Sequence, residues 1–285
     1  MTVNKIPLSF DCEGSLLIGV LTLKNAAKNT IGIITVPAGG PQYRAGVGRQ
    51  LVTMASDFAE RGIPVLRFDY RGMGDSEGEF RDFQSILPDL KAAVAEFRRQ
   101  VPGLEKIVLW GGCNAASASM MFASRIEEVA GMVLMNPFVM SRDIQQKAVK
   151  QHYLDRIRQK EFWRKLLTGQ YQISAYVAEF INLLKSRLGV GSKAATKGSG
   201  QKPFQQRMLE GMESFGGQSL IVTGGRSVES RHFQLLIDND KRWYRAIHSG
   251  ACQLVSVGHA DQAFSSSKSR TSLFDLATQW MEKTF

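Results

Sequence analysis

The chain has 285 residues, 44% hydrophobic and 22% charged, with a formal net charge of +10. That is enough for one large core, since single α/β domains commonly exceed the ~150 residues of an average domain. The most apolar stretches, such as Ile31 to Pro37 and Lys106 to Trp110, are strand-length and far short of the ~20 residues that span a bilayer, so no transmembrane helix is expected. Three widely spaced cysteines, Cys12, Cys113 and Cys252, with no C-x-x-C pair and no Cys/His cluster, argue against a disulfide scaffold and a zinc site.

Val3 to Phe10 and Leu16 to Leu23 flank Asp11-Cys12-Glu13-Gly14 and predict an opening β-hairpin. Short β-branched runs follow at Ile31 to Pro37, Pro64 to Asp69, Lys106 to Trp110, Gly131 to Asn136, Leu220 to Thr223 and Gln253 to Val257, the pattern of strands buried on both faces. Helical periodicity falls between them at 48–61, 82–100, 114–126, 230–247 and 268–283. The alternation predicts an eight-stranded, mostly parallel sheet with helices on both faces.

Residues 141–214 interrupt this order with helical period and no strand, and read as a helical cap inserted into a core made of 1–140 and 215–285. The insertion carries 14 Lys/Arg against 6 Asp/Glu, so most of the net charge sits there. Its stretch 189–200 is rich in Gly, Ser and Lys and reads as a flexible linker. The N-terminus, Met1 to Asp11, has no basic run followed by an apolar block, which fits a cytoplasmic protein.

The strongest local signal is Val108-Leu109-Trp110-Gly111-Gly112-Cys113-Asn114-Ala115-Ala116-Ser117, an apolar strand running into a small-residue helix. This is the form of a nucleophile elbow, in which small residues two before and two after the nucleophile relieve a strained turn. Gly111 and Ala115 meet that need around Cys113, and a thiol at a helix N-terminus is a sound nucleophile. Ser117 and Ser119 compete less well because they lie inside the helix. An elbow requires an oxyanion hole, for which the backbone N–H groups of Asn114 and Gly40 are the candidates. Pro41 has no N–H to give.

An elbow of this form predicts an α/β-hydrolase fold, in which the expected order is nucleophile, acid, histidine. Of His152, His232, His248 and His259, only His259 follows the last strand, and it is the candidate base. The loop after Thr223 has no Asp, which leaves Glu229 as the nearest carboxylate; it equally suits the first turn of a helix. The turn Asp69-Tyr70-Arg71-Gly72-Met73-Gly74-Asp75-Ser76 reads as architecture near the site.

Three segments, Gly39 to Gly46, Pro64 to Ser76 and Glu161 to Leu167, together with Cys113 at the elbow, resemble the exosortase A system-associated hydrolases, type 1, over nearly the whole chain. The resemblance implies a cytoplasmic hydrolase associated with exopolysaccharide systems and a Cys nucleophile. It also implies an Asp where this chain has Ser227, and a His where it has Gln262 in Ala260-Asp261-Gln262-Ala263-Phe264. General spacing selects His259 as the base; the resemblance points to a base lost at Gln262.

Two functions follow. One is acyl transfer from an ester, thioester or amide through Cys113, with His259 as base, Glu229, Ser227 or no acid behind it, and no metal or organic cofactor. The other is a degenerate hydrolase that binds a ligand or partner. The basic insertion suits an anionic small-molecule substrate. It is accompanied by no nucleic-acid motif, and none is expected as a partner.

Overall fold

The structure, a computed structural model, describes residues 3–24, 30–38, 43–140 and 202–285. β1 (Val3–Cys12) and β2 (Ser15–Lys24) form the hairpin, with Val3 facing Lys24 and Cys12 facing Ser15. Glu13 and Gly14 turn the chain with φ of 51° and 80°, the left-handed pair that a two-residue hairpin loop needs.

Alternating units follow: β3 (Ile31–Val36), α1 (Gln50–Glu60), β4 (Val65–Phe68), α2 (Leu87–Gln100), β5 (Lys106–Gly112), α3 (Asn114–Phe122) and β6 (Val129–Met135). From residue 202 onward come α4 (Phe204–Ser214), which falls inside the predicted cap 141–214 but packs with the core, then β7 (Gln218–Gly224), α5 (Val228–Asn239), α6 (Lys241–Ile247), β8 (Cys252–Val257) and α7 (Ser267–Thr284). The eight strands form one sheet in the order β1-β2-β4-β3-β5-β6-β7-β8. β2 runs antiparallel to β1 and β4, and the other pairs are parallel. The predicted linker 189–200 and most of the predicted cap, residues 141–201, lie outside the described residues.

Two helices differ from expectation. The helix predicted over 82–100 starts at Leu87, with Pro88 in its first turn, where a missing N–H costs nothing. Ahead of it the Asp82 carboxylate accepts the Gln84 N–H at 2.9 Å and holds a turn. The helix predicted over 230–247 is two helices, because Asp240 leaves helical geometry (φ −132°, ψ 115°) and caps the second by accepting the N–H groups of Arg242 and Trp243. That break sets Trp243 edge-on to Phe233, ring centres 5.9 Å apart.

On one face of the sheet, α1 and α7 share a core of Ile33, Met54, Phe58, Val108, Trp110, Val133, Leu220, Phe274 and Trp280. Phe58, Trp110 and Phe274 meet at tilted or edge-on angles with centroids 5.5 to 6.2 Å apart, worth about 0.5–1.5 kcal/mol per pair beyond area burial. Elsewhere α4 packs on α3 so closely that a Cβ on Gly211 would sit 2.0 Å from the Met120 carbonyl oxygen.

The charged turn after β4 is architecture, as its composition predicts. Arg71 and Asp89 form a buried bidentate pair, Nε to Oδ1 and Nη2 to Oδ2 both 3.0 Å, and Asp89 also accepts the Arg71 backbone N–H at 2.9 Å. Asp69, fully buried, accepts the Arg44 N–H at 2.5 Å and pairs with its guanidinium. This fixes Arg44. Gly74, at φ 55°, is required beside Asp69, since a Cβ there would lie 2.2 Å from Oδ2.

Candidate active site

The parallel register brings four strand ends level. Gly112 of β5 faces Met135 of β6, Met135 faces Val222 of β7, and Gly224 of β7 faces Val257 of β8. The loops that leave these ends must therefore converge, the usual place for a site in an open α/β sheet.

Cys113 sits at the sharpest turn, with φ 56° and ψ −125° immediately before α3. A non-glycine residue there is strained by about 1–3 kcal/mol. The surroundings hold it: the Cys113 N–H donates to Met135 O at 2.9 Å, and its carbonyl accepts the N–H groups of Ser117 and Phe138, both at 3.2 Å. The glycine at 111 is dictated by the same turn, since a Cβ on it would meet the Ala115 carbonyl carbon and oxygen at 2.8 Å. The elbow geometry read from the spacing is therefore present. Ser117 and Ser119, the competing hydroxyls, are buried and donate to Phe138 O at 2.6 Å and Ala115 O at 2.9 Å.

The Cys113 thiol is raised above its ordinary value, chiefly by burial. The Asn114 backbone N–H opposes the shift by favouring the thiolate, the Glu229 charge adds to it, and the Gln262 amide opposes it. Asn114, the expected first oxyanion donor, opens α3 directly after Cys113. Gly40, the expected second donor, lies outside the described residues.

The side chain brought to Cys113 from the last loop is Gln262. Two glycines make this possible. A Cβ on Gly224 would sit 2.7 Å from Asp261 O, and one on Gly225 would sit 2.5 Å from Gly258 O, so the loops after β7 and β8 abut backbone to backbone. Gly225 N–H donates to Val257 O and Arg226 N–H to Ala260 O, both at 3.0 Å. Ser227, N-cap of α5, accepts the Ser230 N–H at 3.1 Å and donates its own proton to Gln262 Oε1. The Gln262 Nε2 is buried and has no hydrogen-bond partner among the described residues.

Asn136 ties the platform together from the end of β6. Its Oδ1 accepts Gly224 N–H at 2.7 Å and the Ser230 hydroxyl at 2.5 Å, while its Nδ2 donates to Gln262 O at 2.8 Å. Sequence reading passed over it. Its one signal was a polar residue closing an otherwise apolar strand.

His259 has no hydrogen bond to Cys113 among the described residues; its Nε2 is enclosed without a partner, and it is not among the groups that shift the thiol. Glu229 lies in the first turn of α5 and acts on Cys113 through its charge, while the residue that reaches Gln262 is Ser227. Of the other histidines, His248 stacks on Tyr244 at 4.2 Å, and His152 lies outside the described residues. A cavity of about 40 Å³ beside Gln262 is lined by Trp110, Gly112, Met135, Phe264 and Arg270, among others. Among the described residues no cluster of three or more His, Cys, Asp or Glu could hold a metal ion, and no helix is long and apolar enough to cross a membrane.

Known proteins carry the same framework. The esterase Pf2001 of Pyrococcus furiosus superposes with a TM-score of 0.64 at 15% identity, over 99% of this chain and 91% of its own. The ferulic acid-bound Est1E of Butyrivibrio proteoclasticus does so with a TM-score of 0.60 at 14% identity, over 97% and 98%. At these identities the likeness is one of fold, and the fold is that of the α/β hydrolases. Among curated proteins, the chain is 33% identical over 94 residues to the quorum-quenching protein AidA of Acinetobacter baumannii, 31% of each chain. It is 31% identical over 147 residues to the polyketide transferase grgF of a Penicillium species, 49% of this chain and 48% of that one. The matches thus span about a third to a half of these relatives. The serine aminopeptidase S33 family of hydrolases matches residues 47–199, more than half of the chain and including the elbow, and to that α/β-hydrolase family this protein belongs.

Proposed function

We propose that this protein is an acyl-transfer enzyme whose nucleophile is Cys113, acting on the ester, thioester or amide of a small acyl substrate. The carrying observation is the strained elbow at Cys113, which sets the thiol at the N-terminus of α3. A thiolate in that position can attack a carbonyl carbon, and the charge that develops on oxygen falls to Asn114 N–H and, in this reading, Gly40 N–H. A polyketide transferase and esterases among the similar proteins support group transfer over such a site. The basic insertion 141–214, read as a cap, would draw an anionic acyl donor. The resemblance to exosortase-associated hydrolases suggests exopolysaccharide metabolism as the setting.

A second reading, a ligand-binding descendant without turnover, is favoured by one observation: Ser227 and Gln262, at the positions where the family resemblance implies an Asp and a His, are bonded to each other. Turnover of nitrophenyl esters and acyl thioesters by wild type, Cys113→Ala, His259→Ala, Glu229→Gln and Gln262→His separates the two. Loss in Cys113→Ala alone supports acyl transfer without a histidine, and loss in His259→Ala as well assigns the base to His259. An inactive wild type with an active Gln262→His supports the binding reading.

A further inference from the structure

Resting on the acyl-transfer reading, we propose that the cavity behind the elbow is the acyl subsite and that Arg270 makes it specific for a carboxylate: the acyl group delivered to Cys113 is a short one that ends in a free carboxylate, as in the monothioester or monoester of a dicarboxylic acid.

The cavity begins beside the nucleophile. Gly112, the residue before Cys113, lines it, and so does Trp110 further back on β5, so it extends about 7 Å along the strand from the elbow. Its volume is about 40 Å³. One water needs roughly 10–15 Å³, so the space suits a group of about three heavy atoms, the size of a carboxylate, and excludes a long chain. Leu51, Met54, Trp110 and Phe274 give it apolar walls against which methylene groups are stable.

Charge selects the end group. The polar side chains that line the cavity are Gln50, Gln262 and Arg270; no Asp or Glu does, so Arg270 carries its only charge. Among the described residues Arg270 makes no ion pair, and its guanidinium donates to the Ser265 carbonyl alone, which leaves most of its N–H donors unused. The end of the Gln262 amide turned away from Ser227 is enclosed and unpaired as well. Buried polar atoms without a partner mark a place that a polar group fills.

Arg270 does not serve its own helix. It stands near the start of α7, whose first turn holds no acidic residue, and a cation at that end opposes the macrodipole whereas an anion gains from it. Guanidinium and helix end therefore act in the same direction on a group bound between β5 and α7, and both are complemented by negative charge. The planar fork of an arginine matches the two oxygens of a carboxylate. A neutral acyl chain of the same shape leaves that fork facing apolar atoms. The preference expected is about 10- to 100-fold, the worth of one hydrogen bond to a charged group.

The full chain, in excess, is mixed with the N-acetylcysteamine thioester of glutaric acid or of hexanoic acid, in which an ethyl group takes the place of the carboxylate. First-turnover release of N-acetylcysteamine is timed by chromatography. Wild type should react about 10- to 100-fold faster with the glutaryl thioester. That ratio should collapse in Arg270→Met, and Arg270→Lys should keep part of it, because the charge survives without the fork. The ratio compares two substrates on one protein sample, so any loss of folded protein cancels; Arg270→Gln replaces Arg270→Met if the latter does not fold. No release from either thioester, or release undiminished in Cys113→Ala, overturns the acyl-transfer reading itself. Equal rates from the two thioesters on wild type, or a glutaryl preference undiminished in Arg270→Met, leaves that reading standing and overturns the carboxylate subsite.

Discussion

Deleting the Asn136 side chain should cost more than any other single polar change near the site. It makes three short hydrogen bonds, to Gly224 N–H, the Ser230 hydroxyl and Gln262 O, and it is fully buried. Its removal leaves the Gly224 donor and the Gln262 acceptor unpaired, at about 1–3 kcal/mol each, so a loss of about 3–5 kcal/mol is expected. In a domain of this size that lowers Tm by about 6–20 °C. Asn136 also sits at φ 45°. Asn136→Gly isolates the hydrogen-bond share, and Asn136→Ala should cost about 1 kcal/mol more for the left-handed backbone. Urea unfolding gives the free energy, and amide exchange over residues 258–264 tests whether the Gln262 loop loosens with it. A loss below about 1 kcal/mol in Asn136→Gly, with exchange unchanged in that loop, would refute the argument that Asn136 positions Gln262.

Gly111→Val should disable the elbow, because its Cβ has only backbone atoms of Ala115 and Ala116 to meet at 2.8 to 3.0 Å; a fall in stability of about 1–3 kcal/mol with lost Cys113 acylation is expected. Asp89→Asn leaves the Arg71 guanidinium buried against a neutral partner, with only the exposed Glu13 to compensate, and should cost about 3–5 kcal/mol by urea unfolding. Alkylation of Cys113 by iodoacetamide should rise with pH through a midpoint above that of a free thiol, and Glu229→Gln, which removes the nearby negative charge, should bring the midpoint down. Cys252 has its thiol pushed by burial from 9.0 to about 12. A raised thiol stabilises the fold fully below the unfolded value and loses that contribution as pH climbs toward the folded one, so the urea midpoint should fall between pH 9 and 12, and less so in Cys252→Ala.

The sequence by itself determined the layered α/β architecture, because strands buried on both faces are written as β-branched runs and the helices between them as amphipathic periods. It also determined the elbow: Gly111 and Ala115 around Cys113 are a steric demand of the turn and can be read without coordinates. The chain's own spacing chose His259 as the partner of Cys113, since it follows the last strand directly, and nothing local marks which way a loop will face. Tertiary structure decided that. The abutting glycines Gly224 and Gly225 draw the β7 and β8 loops together, Asn136 pins them from β6, and the residue held between them is Gln262, bonded to Ser227. Only the family resemblance had pointed at those two positions. The length of one α5–α6 helix was likewise settled by packing, with Asp240 capping a second helix so that Trp243 can reach Phe233. Periodicity records which face of an element is buried; it does not record the contacts between distant loops, and the chemistry of this site lies in those contacts.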